Sequence, residues 1–430
     1  MRITENPARE ATLGGVVRAM GAVFLGFSLL SLASGALFAL IGVRLSAAGV
    51  TSTLIGAIMS AYFVGLLAGS LSGDRIISRV GHIRAFAVFA AIASVSILLL
   101  AMTDDLPAWV ILRAVGGYCM AGLFMTVESW LNHRAHNLVR GRTFAIYAVL
   151  SGGAIASGPL LLNVGDPAGF ELFSVTAMLF AAALVPVALT RTGNPEITPG
   201  SRLGLRRLFQ VSPLGVVGCL TAGLVNSSFY GMGAVYGEAV GLSPALVSLF
   251  LTLTLVGGLV AQFPVGAVSD RIDRRRLMLG LTIVAATAAV AIALFGSLAP
   301  AVLLALGFLM DAAAHPLYSL SVAQTNDYVE RAEFVPASRG LLLAYASGAS
   351  LGPTVASLCM EAIGPAGLFA YIATILTLLA AFILYRMARR QAKPIEAQGP
   401  LVKMPQATPV AAELDPRAPE GKHTAREEPD

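Results

Sequence analysis

Twelve apolar runs punctuate the chain, at 18–43, 53–73, 84–102, 107–131, 142–163, 169–189, 213–237, 243–268, 277–297, 299–322, 338–360 and 365–387. Each approaches or exceeds the roughly 20 residues needed to cross a hydrocarbon core about 30 Å thick. A segment in that medium must satisfy its own backbone hydrogen bonds, so each run predicts a helix. They are numbered here as spans 1 to 12. Gly and Pro recur inside them, as at Gly152, Gly153, Gly257 and Gly258. Small residues let membrane helices approach closely, so these read as helix contacts rather than turns.

The polar positions between the runs are as informative. With the N-terminus placed in the cytoplasm, the connections on that side hold every Lys and Arg of the chain's 29 except Arg44, at the end of span 1, and Arg113, within span 4. That asymmetry predicts cytoplasmic termini. The connection 190–212 is the longest. It carries Pro195, Pro199 and Gly200, then Arg202, Arg206 and Arg207, and its second part predicts a short amphipathic helix at the inner interface. The expected organisation is a cytoplasmic N-terminus (1–17), a six-helix half (18–189), a basic linker (190–212), a second six-helix half (213–390) and a disordered cytoplasmic tail (391–430) rich in Pro, Ala and charge.

The chain also repeats. Shifted by 192 residues, Gly49-Val-Thr falls on Gly241-Leu-Ser, Gly65 on Gly257, Arg79 on Arg271, His82 on Arg274 and Arg84 on Arg276. With small gaps, Ser157-Gly158-Pro159 in span 5 matches Leu351-Gly352-Pro353 in span 11. The fold class expected is an all-α membrane protein of twelve transmembrane helices in two pseudo-symmetric halves. Parallel repeats of this kind build secondary transporters, with the solute site at mid-membrane between the halves.

Composition narrows the reading further. Of 430 residues, 56% are hydrophobic and 12% charged, about half the charged share of a soluble protein. The net charge of +5 comes from arginines between apolar runs, with no basic surface interleaved with exposed aromatics, so no nucleic acid is expected. Cys119, Cys219 and Cys359 stand far apart inside apolar runs, with no metal-binding or disulfide spacing. No metal, cofactor or catalytic constellation is expected, nor a nucleotide-binding loop.

The best-preserved stretch is Gly266-Ala-Val-Ser-Asp270-Arg271-Ile-Asp273-Arg274-Arg275, after span 8. It resembles the loop motif of the major facilitator superfamily, with Asp273 in place of the second Gly. The first-half copy keeps Arg79 and Gly81, puts Asp74 in the Gly slot and Ser78 in the Asp slot, and carries Arg75 beside them. The resemblance implies that Asp74, Arg75, Arg79, Gly81, Gly266, Asp270, Arg271 and Arg274 act in gating the cytoplasmic face. Arg113-x-x-x-Gly117 in span 4 resembles the family's arginine motif linked to proton coupling. Gly348-x-x-x-Gly352-Pro353 in span 11, with Gly158-Pro159 in span 5, resembles its antiporter Gly-Pro motif, and these are the candidate helix-packing residues. Glu128-Ser-Trp-Leu-Asn132, followed by Arg140-Gly-Arg142, is similar to a YcaD-like branch of sugar- and drug-type carriers.

A charge inside a bilayer is costly and usually functional. Asp311 and His315 lie four apart in span 10, hence on one helix face about 6 Å from each other. They are either a proton-coupling pair or a fixed hydrogen bond between helices. Arg113 is either a partner for an anion or a buried carboxylate, or a side chain reaching the headgroups. Glu128 lies about 22 Å further along the same helix and is assigned to gating. Tyr62, Asn226, Tyr230, Tyr236, Gln262 and Tyr318 are candidates for a solute cavity, each with an interhelical hydrogen bond as its alternative. The expectation is a monomeric, alternating-access carrier of a small molecule in a bacterial-type inner membrane, contacting membrane lipids. Protons drive it, with efflux of an amphipathic compound ahead of symport of a sugar or organic anion. A receptor built on a carrier fold is the reading from another class.

Overall fold

The computed structural model describes residues 13–134, 140–189, 204–296, 299–330 and 333–391, together with 393–395, 398, 399 and 401. Among these, twelve helices are long and apolar enough to cross a membrane: Met20–Ala47, Ser52–Val80, His82–Met102, Leu106–Leu131, Ala145–Asn163, Glu171–Ala188, Pro213–Ala239, Pro244–Ser269, Arg274–Phe295, Pro300–Asn326, Phe334–Ile363 and Gly367–Arg389. They fall on the twelve predicted runs, and they keep the span numbers. Large apolar side chains such as Leu25, Val64, Val95, Met178, Val185, Leu294 and Leu378 are exposed along them. Water would not tolerate such a surface, whereas lipid tails would.

Spans 1 to 6 pack as one half and spans 7 to 12 as the other. Within the halves, span 2 packs on span 4 and span 8 on span 10; span 1 packs on span 5 and span 7 on span 11. Between the halves, span 2 meets span 11, span 5 meets span 8, and span 1 meets span 7. The contacts therefore obey the same two-fold relation as the sequence repeat.

Glycine enforces this. A Cβ on Gly65 would lie 1.9 Å from the Ala114 carbonyl oxygen, and one on Gly257 would lie 2.3 Å from that of Phe308. Residues 65 and 257 are repeat partners, so one small residue performs the same close approach in both halves. Gly35 against Ile155 and Gly158 against Leu32 and Ala36 bring span 1 onto span 5. Gly223 against Tyr345, Gly348 against Leu220 and Gly352 against Ser227 do the same for spans 7 and 11. The turns before spans 2 and 8 repeat as well: Gly49 and Gly241 both have positive φ, 74° and 79°, where a Cβ is strained.

Two spans are less regular than their apolar runs suggest. Span 10 breaks into Pro300–Ala314 and Leu317–Asn326, with a turn at His315 and Pro316. Pro316 has no N–H to donate and its ring crowds the preceding turn. Such breaks survive at membrane depth where they are buried or line a cavity. Span 5 ends in a tighter helix, Gly158–Asn163, with Pro159 in its first turn.

The linker's second part is a helix, Leu205–Val211, with Leu208 buried and Leu205 and Phe209 exposed. Arg207 pairs with Glu333 at 2.5 Å. Residues 1–12, 190–203 and 402–430 lie outside the described residues, so the expectations for the N-terminus and most of the tail are not addressed. At the start of the tail, Lys393, Gly399 and Leu401 hydrogen-bond the second half and Gln398 bonds Lys393; buried charges there leave hydrogen-bonding capacity that the tail backbone satisfies.

The glycine contacts make a direct prediction. Gly257→Ala should lower thermal stability in detergent by about 1–3 kcal/mol, the usual cost of overpacking. Gly280→Ala, where a Cβ would meet nothing within 4 Å, should be neutral or better.

Candidate functional site

The meeting of the halves leaves a cavity of about 190 Å³ near the middle of the spans. Spans 1, 2, 4 and 5 supply one wall, through Ser34, Phe38, Tyr62, Phe124, Tyr147 and Ser151; spans 7, 8, 10 and 11 supply the other, through Tyr230, Gln262, His315 and Tyr345 among them. The lining is mainly apolar and aromatic, with a few hydroxyls, one amide and one imidazole. That is the chemistry of a small-molecule pocket: a large apolar contact area with sparse polar groups that orient the ligand.

Hydrogen bonds join the two halves at the end where span 2 begins and span 11 ends. There Thr53 Oγ1 donates to the Glu361 carboxylate at 2.8 Å, Asn163 Nδ2 donates to Ser248 Oγ at 2.9 Å, and the Thr354 hydroxyl shares a 2.8 Å hydrogen bond with that of Ser60. Each of these links joins one half to the other.

Asp311 and His315 stand together at the break in span 10. Asp311 is 6% exposed, and His315 lines the cavity. His315 Nδ1 is 3.7 Å from Asp311 Oδ2, too far for a hydrogen bond. The two are electrostatic neighbours at this distance. Gly258 makes room for both: a Cβ there would come within 2.2 Å of Asp311 Oδ2 and 2.8 Å of His315 Cβ.

Arg113 occupies the other wall. It is 2% exposed, and its guanidinium lies 4.7 Å from the Phe38 ring centroid and 4.6 Å from that of Tyr62. Both rings line the cavity. Arg113 has no carboxylate at ion-pair distance among the described residues, so the arginine rests on ring quadrupoles instead. It is not extended to headgroups, and it does not join Asp311 and His315 in one cluster.

Glu128 is fully buried and accepts a 2.8 Å hydrogen bond from Tyr147 Oη. Tyr147 stacks on Phe27 at 4.8 Å and lines the cavity, so Glu128 sits just behind the cavity wall. Of the other cavity candidates, Tyr62, Tyr230 and Gln262 are on the wall. Asn226, Tyr236 and Tyr318 are buried behind it, a correction to the sequence reading. Asn226 hydrogen-bonds Tyr345, Tyr318 packs its ring on Tyr345 at 5.1 Å, and Tyr236 packs on Phe369 at 4.7 Å. Phe38, Tyr147 and Tyr345 line the cavity but escaped sequence reasoning. Tyr147 and Tyr345 carry the same signal, a phenol inside an apolar run, that selected Tyr62.

The charged loop after span 8 forms a second cluster. Arg274 is fully buried, pairs with the buried Asp327 and receives support from Ser269 Oγ at 3.0 Å. Asp270 is 3.9 Å from Arg274 and about two-fifths exposed. Asp273 caps span 9 by accepting from the Arg275 backbone N–H at 3.0 Å, which explains an acid where the motif has glycine. Burial pushes the Asp327 carboxyl up from its ordinary value, while Arg274, the Gly399 N–H and Lys393 pull it back. Asp327 was missed because it lies 53 residues from its partner in sequence.

The first-half copy is built differently. Arg75 and Arg79 are exposed, as is Arg271 in the second half, so these three expected gating residues lie outside the buried cluster. Asp74 accepts from the neighbouring Arg75 N–H at 2.9 Å. Gly81 makes the turn at φ 84°. His82, the repeat partner of Arg274, is buried and bonds Ser129 at 2.8 Å. Gly266 opens onto Leu401 of the tail, and Pro353 packs against Gly231 of span 7.

Two pseudo-symmetric six-helix halves around a central cavity define a membrane transport protein. Sequence comparison agrees: the Major Facilitator Superfamily model matches residues 23–243 and 214–419, and the chain belongs to that family. It is 27% identical over 372 residues to the MFS-type transporter YcaD of Shigella flexneri serotype 5b, covering 86% of this chain and 96% of that protein, and equally identical to YcaD of Escherichia coli K12. Its fold is similar to the crystal structure of a D323A mutant of the nucleoside transporter NupG, with TM-score 0.72 and 14% identity over 85% of this chain and 98% of that one. It is similar too to a bacterial homologue of the human lysosomal transporter Spinster in an inward-facing, unoccupied conformation, with TM-score 0.70 and 14% identity over 88% and 98%. The protein is thus a multi-pass inner-membrane transporter of a small molecule, not an enzyme.

The buried pair can be tested by itself. Arg274→Gln or Asp327→Asn should each lower stability by about 3–5 kcal/mol, because each strands a buried charge. Arg274→Met combined with Asp327→Leu should cost clearly less than the sum, read as thermal midpoints in detergent.

Proposed function

We propose that this transporter works by alternating access, couples solute movement to protons at Asp311 and His315, and carries a small amphipathic compound, with efflux the favoured direction. The observation that carries this reading is the Asp311–His315 pair. A carboxyl is buried at mid-membrane, 3.7 Å from an imidazole that lines the solute cavity. Carboxyl and imidazole side chains both bind and release protons, so the pair can carry one. Solute in the cavity and proton on the pair therefore contact the same side chain, which is the minimum that coupling requires.

The lining supports an amphipathic solute: aromatic faces from Phe38, Tyr62, Tyr230 and Tyr345 with Gln262 and hydroxyls between them. The Gly-Pro elements of spans 5 and 11 support efflux, through the antiporter resemblance. The arginine asymmetry supports cytoplasmic termini, and on that assignment the hydrogen-bonded links where span 2 begins close the outer side. The cavity is complete within one chain, which supports a monomer as the working unit.

One observation favours a second reading. Among the described residues Arg113 is a buried cation without a carboxylate partner, so an organic anion would supply the missing charge, with symport as the mode. A panel of fluorescent amphipathic compounds, cationic, neutral and anionic, offered to proteoliposomes under an imposed pH gradient separates the two. The proposed coupling predicts gradient-driven flux in the wild type, a loss of roughly tenfold or more in Asp311→Asn, and a shifted pH dependence in His315→Ala. Unchanged pH dependence in both variants would refute it. Driven flux of the anionic compounds alone, abolished in Arg113→Gln, would select the second reading.

A further inference from the structure

The cluster of Asp270, Arg274 and Asp327 does more than hold its own loop. We infer that it is a peptide-binding socket whose ligand is the chain's own C-terminal segment, engaged through Lys393, Gly399 and Leu401. The contacts read backbone. Arg274 Nη2 donates to the Gly399 carbonyl at 2.8 Å. The Gly399 N–H donates to Asp327 Oδ1 at 3.0 Å, so both polar groups of one peptide residue are engaged by the two members of a buried ion pair. The Leu401 N–H donates to Asp270 Oδ1 at 2.8 Å. Lys393 Nζ donates to the Asp327 carbonyl and stands 5.7 Å from the Tyr328 ring centroid. Gln398 donates to the Lys393 carbonyl at 3.1 Å, closing the segment on itself. The Leu401 side chain fills the space that Gly266 leaves open, with 3.6 Å to where a Cβ would be.

The arrangement has a physical logic. An Arg–Asp pair buried together keeps acceptor and donor capacity that must be met by something other than water. A peptide backbone meets it, through charge-assisted hydrogen bonds stronger than neutral ones. The consequence is mechanical. The segment ties three connections of the second half together: the loop after span 8 at Asp270, the end of span 10 at Asp327 and Tyr328, and the end of span 12, where Arg275 donates to the Arg390 carbonyl at 2.7 Å and Arg390 lies 4.2 Å over the Tyr328 ring. While the strap is seated, Asp270 Oδ1 holds the Leu401 N–H and the loop after span 8 is tied to the tail. Among the described residues the first half shows no matching buried ion pair: His82, the repeat partner of Arg274, bonds Ser129 instead. The strap therefore makes one half of a pseudo-symmetric carrier mechanically different from the other.

The test uses the full-length protein in detergent and two readouts. In hydrogen–deuterium exchange, the amides of Gly399 and Leu401 should be protected in the wild type. Asp270→Ala, a change at a side chain about two-fifths exposed, removes the acceptor and should speed exchange at Leu401 by roughly tenfold, the worth of one charge-assisted hydrogen bond. Truncation after Arg390 should speed exchange of amides 270–273 by a similar factor. Independently, Gly266→Cys with Leu401→Cys, in a background lacking Cys119, Cys219 and Cys359, should form a disulfide under mild oxidant. Unprotected amides at 399 and 401 with no cross-link would overturn the socket. A protected, cross-linked segment whose removal leaves amides 270–273 unchanged would overturn the claim that it restrains the loop.

Discussion

The structure depends on how closely span 10 approaches span 8. Gly257 lets the backbones touch, since a Cβ would sit 2.3 Å from the Phe308 carbonyl oxygen, and Gly258 leaves the space into which Asp311 and His315 turn. Without that pair of glycines, a carboxyl could not be sealed at mid-membrane with an imidazole beside it on the cavity wall. The break at Pro316 lies next to the same point, so span 10 carries its charge where its backbone is least regular. Small residues set the approach, the approach buries the acid, and the buried acid gives the cavity its chemistry.

The two halves use one plan for different ends. Gly65 and Gly257 are repeat partners, and they meet Ala114 of span 4 and Phe308 of span 10, residues 194 apart. By that offset Asp311 stands where Gly117 stands in the first half. There, Gly117 packs its backbone on that of Tyr62, with 1.9 Å from a would-be Cβ to the Tyr62 carbonyl oxygen. One half spends the position on close packing, the other on an ionisable group. Arg113, one turn before Gly117, then becomes the charge on the first-half wall, carried by aromatic rings. The loops after spans 2 and 8 diverge in the same spirit: a buried Arg274–Asp327 pair in the second half, a His82–Ser129 contact in the first.

Much of this was legible before any coordinates. Twelve apolar runs and the 192-residue register give the span count and the two-fold plan, because a bilayer admits few alternatives. The i, i+4 spacing of Asp311 and His315 within one apolar run identifies the pair. What stayed hidden required knowing which face of each helix meets which neighbour. Helix periodicity alone does not distinguish Tyr345, on the cavity wall, from Tyr318, which packs behind it. Asp327 and the tail residues are far from Arg274 in sequence, and a Pro- and charge-rich tail reads as disorder until a buried pair with spare hydrogen-bonding capacity is seen beneath it. The interruption at Pro316 was written in the chain, but hydropathy weighs an apolar proline as part of a continuous run.

The central claim is that the protonation state of Asp311 biases which end of the cavity is closed. Spin labels at Val164→Cys and Ala245→Cys, on spans 5 and 8 at the end where span 2 begins, report that directly through their distance distribution at acid and alkaline pH, in a background without the native cysteines. The account predicts a distribution that shifts between two populations with pH in the wild type and is frozen in Asp311→Asn. The same pH-dependent shift in both proteins would contradict it.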